Sequence, residues 1–448
     1  MLDTIIIFSY LSILLLMGII SSRKIKSFRD YALGHKSYSW LVITATLSAS
    51  FLGGGFTMGI SSNVYLGGII AIIGIFGFSL KEIIVAKFFA KRFERFPDAL
   101  SIGDIMESQY GRPAKLVSGI LGLIVCSGIV GVQLNALGYI SHEFFGISQH
   151  TALIIGGVLL TAYTVLGGLS AIILTDVLQF WILVIGIPLT CIFGLIQVGG
   201  WSELMAAVPS THVAISSDMI IPTILLFLTF LFGETFVPPY IQRLMIGEHT
   251  KDVERGTLMS GLLSIPVFVL SGLIGLLAFA LFPGINAESV LPTLINAVLP
   301  IGLKGIVVVG VLSAVMSTAD SFLQAGAVSF VHDVLKPLKQ VETPKKELFV
   351  FRSTTVIMGG LAIVAAIMVK ELIDLCLYAW TFWSPVMLVP FAAVLLGLNG
   401  SKNLFYLSSV SAAAIALITS PSLGGNALLA GVLTSFIVFS GGYYFAKR

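Results

Sequence analysis

Charge is what this sequence has least of. Only 10% of its 448 residues are Asp, Glu, Lys or Arg, with 25 basic residues against 22 acidic and a net charge of +3. A water-soluble domain carries about 25% charged residues, and no polar stretch here is long enough to fold separately, so the chain reads as a single membrane domain over 1–448. Cysteine is also scarce. Cys126, Cys191 and Cys376 lie in apolar segments at spacings that match neither a metal knuckle nor a redox pair, and they read as packing residues. The six histidines are scattered, and neither a nucleophile elbow nor a metal-ligand spacing is present, which argues against a membrane enzyme. The basic residues form no stripe and are spread among loops, which excludes nucleic acid as a partner. The first apolar run, Leu2 to Ser21, has no basic residue before it and no convincing small-residue cleavage site, so it reads as a retained helix.

What is present is hydrocarbon-spanning sequence: 57% of residues are hydrophobic. Apolar runs of about twenty residues, enough to cross ~30 Å of lipid, recur from end to end. They predict an all-α integral membrane protein with thirteen helices near 2–21, 39–60, 63–90, 115–140, 149–166, 168–195, 219–240, 254–282, 304–331, 349–369, 371–396, 404–419 and 422–445. With the N-terminus outside and the C-terminus cytoplasmic, the basic groups Arg23/Lys24/Lys26/Arg29/Lys36, Lys87/Lys91/Arg92/Arg95, Arg112/Lys115, Lys251/Arg255, Lys336/Lys339/Lys345/Lys346 and Lys447/Arg448 all face the cytoplasm. Lys304 and Lys370 are the exceptions.

Two of these helices carry helix-breaking sequence. Gly53-Gly54-Gly55 interrupts the second and Pro238-Pro239 the seventh, five helices apart. Non-helical backbone at membrane depth is tolerated only where protein or a water-filled cavity satisfies it, so paired breaks suggest an inverted-repeat transporter with a site at the midplane. The halves would be 39–195 and 219–396, with an extra N-terminal helix at 2–21 and two C-terminal helices at 404–445. The competing reading is that the glycines permit close packing and the prolines only kink. Asp176 and Asp320 also lie inside apolar segments. A charged side chain at a helix centre costs roughly 2.5 to 3.5 kcal/mol on insertion scales, so each needs a cavity, a cation or a proton path. For Asp176, capping of free amides at the start of its helix is the alternative.

Several segments then resemble one family, the sodium:solute symporters. They are Tyr163 to Ala171 running on to Thr175-Asp176-Val177-Leu178-Gln179, Ala314-Val315-Met316-Ser317-Thr318-Ala319-Asp320-Ser321, the glycine-rich second helix ending in Asn63-Val64-Tyr65-Leu66-Gly67-Gly68, and Tyr240-Ile241-Gln242-Arg243. The resemblance implies a five-plus-five core and sodium-coupled symport by alternating access, with Na+ as coupling ion and no organic cofactor. Position by position it implies a principal sodium site from the carbonyls of Ala49, Leu52 and Ala314 and the hydroxyls of Ser317 and Thr318. Taken alone, those hydroxyls are as readily explained by bonds back to their own helix. A second cation site would use Asp176, Asp320 and Ser321. Asp320 departs there from the serine-rich versions of the family, so either a sodium or a shared proton would have to keep the two carboxylates together.

For the solute, the matching positions are Phe51, Gly53, Gly54, Phe56, Ile75, Gln133 and Phe236, with Asn135 as a further polar candidate. This is a small, mostly apolar pocket, unsuited to sugars, and the fourth helix has no arginine where sialic-acid carriers place one. The second helix and Tyr-Ile-Gln-Arg are similar to the choline-carrier branch, yet Phe51 and Val237 stand where tryptophans would box a quaternary ammonium. A small amino acid or a monocarboxylate is the preferred solute, its carboxylate facing amides freed at Gly53 to Gly55. Glu234 is placed to pair with a cationic solute or with Arg243, and Gln133 to serve the solute or to bond between helices. Tyr378, Trp380 and Trp383 read as packing or an outer gate. Proton coupling, or a transporter-like sensor acting with a partner chain, are the alternatives. The short loops suggest a bacterial inner membrane, and a monomer suffices for this architecture.

Overall fold

The computed structural model describes residues 2–22, 31–32, 37–166, 169–338, 343–369, 371–398 and 400–446. Arg23, Lys24, Lys26, Arg29, Lys36, Lys339, Lys370, Lys447, Arg448 and the Gly167-Gly168 pair lie outside them. The main helices are α1 Leu2–Ser22, α2 Trp40–Phe51, α3 Gly54–Gly67, α4 Ile70–Phe88, α5 Ile102–Tyr110, α6 Arg112–Phe145, α7 Gln149–Leu166, α8 Leu169–Val198 and α9 Ser217–Phe232. They continue with α10 Pro238–Leu244, α11 Thr250–Leu281, α12 Val290–Val298, α13 Leu303–Phe330, α14 Pro344–Met368, α15 Leu372–Leu396, α16 Lys402–Leu423 and α17 Ala427–Ala446. Among the described residues the fold is helical, and the one extended pairing is an isolated bridge between Tyr38 and Gly247.

Among the described residues, seven helical stretches are long and apolar enough to cross a bilayer, and the α2–α3 pair, bent by 54° at its break, makes an eighth. Shorter apolar helices include much of α1, α7 and α9. The chain is therefore a multi-span helical membrane protein.

α13 organises the interior. It is apolar or small on every side and buried along nearly its whole length, as expected of a helix surrounded by others. It packs on α1, α2, α3, α6, α7, α8, α10 and α14, so whatever it carries at mid-length is presented to both broken helices.

One predicted boundary is wrong. The second helix does not end near residue 60; it continues to Gly67 and ends at Gly68, whose φ of +83° is a left-handed conformation that glycine adopts at no steric cost. The polar run Ser61-Ser62-Asn63 looks like a loop, but Ser61 Oγ donates to Thr57 O at 2.9 Å and to Ser271 O of α11 at 2.8 Å, which lets the helix run through.

The second break also differs in detail. The non-helical segment is 233–237, and Pro238-Pro239 do not interrupt a helix but open α10, at the first positions, where a missing N–H breaks no intrahelical bond. The bend is held by α15, where Ser384 Oγ donates to the carbonyls of Phe232 (3.0 Å) and Gly233 (2.5 Å) and Trp383 Nε1 donates to Thr235 O (3.2 Å).

The start of α2 is tied to the segment that follows α10. Ser37 and Tyr38 amides donate to Ile246 O at 3.2 Å, Trp40 N donates to Asp252 Oδ1 at 3.0 Å, and Arg255 lies 3.8 Å over the Trp40 ring. A second polar tie joins α5 to the ends of α6 and α13. Burial alone would raise the Asp104 carboxyl, but His332 Nε2 at 2.9 Å and Lys115 Nζ at 2.7 Å outweigh it and hold Asp104 well below the usual carboxylate range.

Candidate functional site

The break between α2 and α3 is made by contact. Gly53 has an ordinary φ of −59°, so its value lies in the missing side chain: a Cβ there would come 2.0 Å from Thr318 Oγ1 and 3.0 Å from Ala314 O. Gly54 is similarly pressed on α13, where a Cβ would meet Val315 Cγ2 at 2.3 Å and Val311 O at 3.2 Å. Glycine here lets the end of α2 and the start of α3 lie directly on α13.

That approach gathers backbone carbonyl and hydroxyl oxygens. Thr318 Oγ1 lies 3.0 Å from Ala314 O, one turn back, and 3.5 Å from Ala49 O across the interface. Thr318 thus makes the bond back to its own helix, while Ser317 does not and donates instead to Asp176 Oδ1. Leu52 is the C-cap of α2 and its amide donates to Ser48 O at 2.7 Å. Of the five positions assigned to a principal sodium site, Ala49, Ala314 and Thr318 meet directly, Leu52 closes the helix end beside them, and Ser317 turns towards Asp176.

Asp176 does not cap its helix. It sits about two turns inside α8 and is sealed from solvent. Its Oδ2 receives Thr46 Oγ1 at 2.5 Å, Ser50 Oγ at 3.4 Å and Arg243 Nη2 at 3.4 Å. Arg243 also donates to Ser321 Oγ at 2.5 Å and to Pro239 O at 3.2 Å, and Ser50 and Ser321 hydroxyls are 3.2 Å apart. A guanidinium therefore lies against two of the three residues assigned to a second cation site, Asp176 and Ser321. Asp320, the third, is buried with its Oδ1 lacking a hydrogen-bond partner. This network also answers the question of Arg243: it pairs with Asp176, not with Glu234.

The solute positions divide into two groups. Phe51 meets Tyr240 (5.4 Å between centroids) and Phe322 (5.7 Å), and Phe56 meets Phe78 (6.1 Å), Phe230 (5.8 Å) and Trp380 (6.1 Å). Ile75 is buried on α4, one turn before Phe78. Gln133 Oε1 accepts the Gly55 amide at 3.1 Å, one of the otherwise unsatisfied N–H groups at the start of α3, and its Nε2 has no partner. Phe51, Phe56 and Gln133, with Gly53 and Gly54, surround the first break, and Ile75 shares α4 with Phe78, which Phe56 meets. Phe236 does not join them: with a φ of 62° it turns towards Phe89 (5.3 Å) and Phe391 (5.0 Å), a separate aromatic cluster. Asn135 is committed to α14's end, donating to Val369 O at 2.7 Å. Trp380 is less peripheral than a packing or gate residue need be, since it stacks on Phe56 and its Nε1 is buried without a partner.

The sequence reading missed Lys81 and Glu82. Both are buried on α4, with Lys81 Nζ 2.9 Å from Glu82 Oε1 and 4.0 Å from Glu234 Oε2, and Tyr240 OH donates to Glu82 Oε2 at 3.0 Å. The signal was an adjacent Lys-Glu inside the apolar run IFGFSLKEIIV. Thr46 and Ser50 were missed as well. They are one turn apart on α2, and only the fold brings them to Asp176.

Comparison with known proteins agrees with this geometry. The model of the sodium:solute symporter family matches residues 31–402. The sodium/proline symporter of Escherichia coli (strain K12) is 25% identical over 393 residues, covering 83% of this chain and 78% of that protein. The high-affinity choline transporter 1 of Drosophila melanogaster is 26% identical over 454 residues, covering 93% and 70%. A solved structure described as the substrate-bound outward-open state of a Na+-coupled sialic acid symporter superposes with a TM-score of 0.83 over 100% of this chain and 98% of that one, at 22% identity, which speaks to the fold. With most of its length matched and its helices arranged as in a solved symporter, this chain belongs to the sodium:solute symporter family.

Proposed function

We propose that the protein imports a small organic solute, an amino acid or a monocarboxylate, by sodium-coupled secondary active transport with alternating access. The family is one of transporters, not enzymes, and its membership makes sodium-coupled symport the coarse function. The finer reading rests on one observation: Thr318 Oγ1 stands between the carbonyls of Ala49 and Ala314 at the point where the first broken helix lies on α13. Neutral oxygen dipoles, some released by unwound backbone, suit a hard monovalent cation.

In this reading Na+ binds the Ala49, Leu52 and Ala314 carbonyls with the Ser317 and Thr318 hydroxyls. It ties α2 to α13, stabilises the outward state and completes the solute pocket beside the glycines. Ion and solute then raise each other's affinity by the same factor, typically ~1 to 3 kcal/mol of coupling. The halves 39–195 and 219–396 would rock about this point, within thirteen spans, an outside N-terminus and a bacterial inner membrane. A monomer holds every residue invoked.

Thermal unfolding of the purified protein in sodium and in potassium tests this. Sodium is expected to raise Tm in a concentration-dependent way, as mass action requires, and Ser317→Ala/Thr318→Ala to abolish that rise. Equal melting in both salts, or a rise that survives the double substitution, would remove the principal site.

A second reading, proton coupling, is favoured by Asp320, whose Oδ1 has no partner in the interior. It predicts that Asp320→Asn stops solute accumulation driven by a pH gradient while the sodium-induced rise in Tm persists. Unchanged accumulation by the Asn variant would dismiss it.

A further inference from the structure

Apart from the oxygens assigned to sodium, the Asp176 cluster and the tie of Asp104 to His332 and Lys115, the described interior holds a further group of acidic and basic side chains, and it does not balance. Lys81, Glu82 and Glu234 are 2%, 0% and 0% exposed, so one positive and two negative side chains are sealed together. Lys81 and Glu82 form a contact ion pair at 2.9 Å, although neither Lys81 Nζ nor Glu82 Oε1 makes a hydrogen bond. Glu234 is the remainder: its closest cation is Lys81 at 4.0 Å, and neither of its oxygens has a hydrogen-bond partner. Its place in the chain adds to the imbalance. Glu234 follows the C-terminus of α9, where aligned peptide dipoles leave partial negative charge, so carboxyl and half-helix together are satisfied by a proton or by a cationic ligand.

The chemistry of that cation is constrained by Lys81. Its ammonium lies 4.0 Å from the Phe78 ring centroid, 4.6 Å from Tyr240 and 5.4 Å from Phe51. Three aromatic faces that would receive a quaternary ammonium already hold one of the chain's own cations. What is left for a ligand is Glu234, and a bare carboxylate in a dry site is best satisfied by a charged N–H donor. We propose that Glu234 binds a protonated primary or secondary amine of the transported solute, with Lys81 and Glu82 as the fixed pair that positions it. This rests on the solute occupying the space between the two broken helices, and it narrows the solute class: a monocarboxylate without an amine is excluded, and so is choline. The amine has two sources, an amino acid or a simple amine. Two buried donors without partners, Gln133 Nε2 beside Gly55 and Trp380 Nε1 on the ring stacked against Phe56, offer the carboxylate of an amino acid its own anchors.

Ligand-induced stabilisation of the full-length protein in saturating sodium, read with matched probes, decides this. The panel is the twenty protein amino acids, ethylamine, putrescine, lactate, propionate and choline. At least one amine-bearing probe is expected to stabilise, and lactate, propionate and choline are not. An amino acid hit without ethylamine or putrescine assigns the amino acid source, and the reverse assigns a simple amine. In Glu234→Gln the affinity of the hit is expected to fall on the order of 30-fold or more, with Glu234→Asp retaining part of it. Both variants are expected to keep a cooperative thermal transition, which serves as the check on folding, and the stabilisation given by sodium alone. Stabilisation by lactate, propionate or choline, no stabilisation by any amine, or unchanged affinity in Glu234→Gln would each overturn the proposal. So would loss of the sodium effect in Glu234→Gln, which would make Glu234 an ion ligand. A wild-type protein indifferent to sodium but stabilised by an amine through Glu234 would instead remove sodium coupling and leave this inference standing.

Discussion

Replacing Asp176 by Asn is expected to destabilise the protein by about 3 to 5 kcal/mol, the usual cost of removing one partner from a buried ion pair. The size of the effect follows from what is left behind. Arg243 is fully buried, with Nη1 on the Pro239 carbonyl, Nη2 shared between Asp176 and Ser321, and Nε without a partner. An amide at residue 176 keeps the shape of the side chain and one of its two acceptors, for Ser317 or for Thr46 but not both, while the guanidinium loses its countercharge. The decisive comparison is a double-mutant cycle with Arg243→Gln, followed by thermal unfolding in sodium. The double variant should recover much of what Asp176→Asn loses, because a neutral pair strands no charge. If the single variant melts within about 1 kcal/mol of the wild type, the pair is not what holds α8 to α10, and Asp320 must be supplying the countercharge. The same cycle bears on a second cation site. A guanidinium between Asp176 and Ser321 already provides the positive charge that site would need, so additional sodium dependence should be absent from the wild type and emerge only when Arg243 is neutralised.

Legibility in the sequence followed the range of the interactions. The membrane class, the two breaks and the importance of Asp176 were readable because each is a local violation of an otherwise apolar pattern. The prolines were read one step wrong, since local rules say that proline stops a helix but not that it also starts the next one well. Ser61 to Asn63 misplaced a boundary for a similar reason: only α11, supplying the Ser271 carbonyl, makes a polar run compatible with continued helix. For Glu234 two partners were offered, a cationic solute and Arg243, and the fold removes the second. Arg243 is nearer in sequence, whereas Lys81 is nearer in space, on a helix that the broken segment meets only in the folded chain. Phe236 shows the opposite limit. Its place beside the break suggested the pocket, and its positive φ, which no sequence pattern announces for a phenylalanine, turns it away.

Gly53→Ala is expected to weaken apparent sodium affinity by roughly tenfold or more while leaving a folded protein, and the argument turns on which atom the new methyl meets. Overpacking a buried site typically costs about 1 to 3 kcal/mol, and the way it is relieved decides the functional effect. Here the first obstacle is Thr318 Oγ1 at 2.0 Å, then Ala314 O at 3.0 Å and Thr318 Cβ at 3.1 Å. The cheapest escape is a change of the Thr318 rotamer, which carries its hydroxyl away from the Ala49 and Ala314 carbonyls, the oxygens assigned to the ion. Removing the obstacle separates packing from binding: Thr318→Ala in the Gly53→Ala background makes room for the methyl and should restore thermal stability, yet it cannot restore the hydroxyl. Sodium titrations of Tm on the two variants therefore have opposite relations to their starting stabilities under the two accounts of the glycine break. If Gly53 serves only close helix packing, relieving the clash returns both stability and sodium response. If it exists to bring the unwound backbone onto an ion site, stability returns and the sodium response does not.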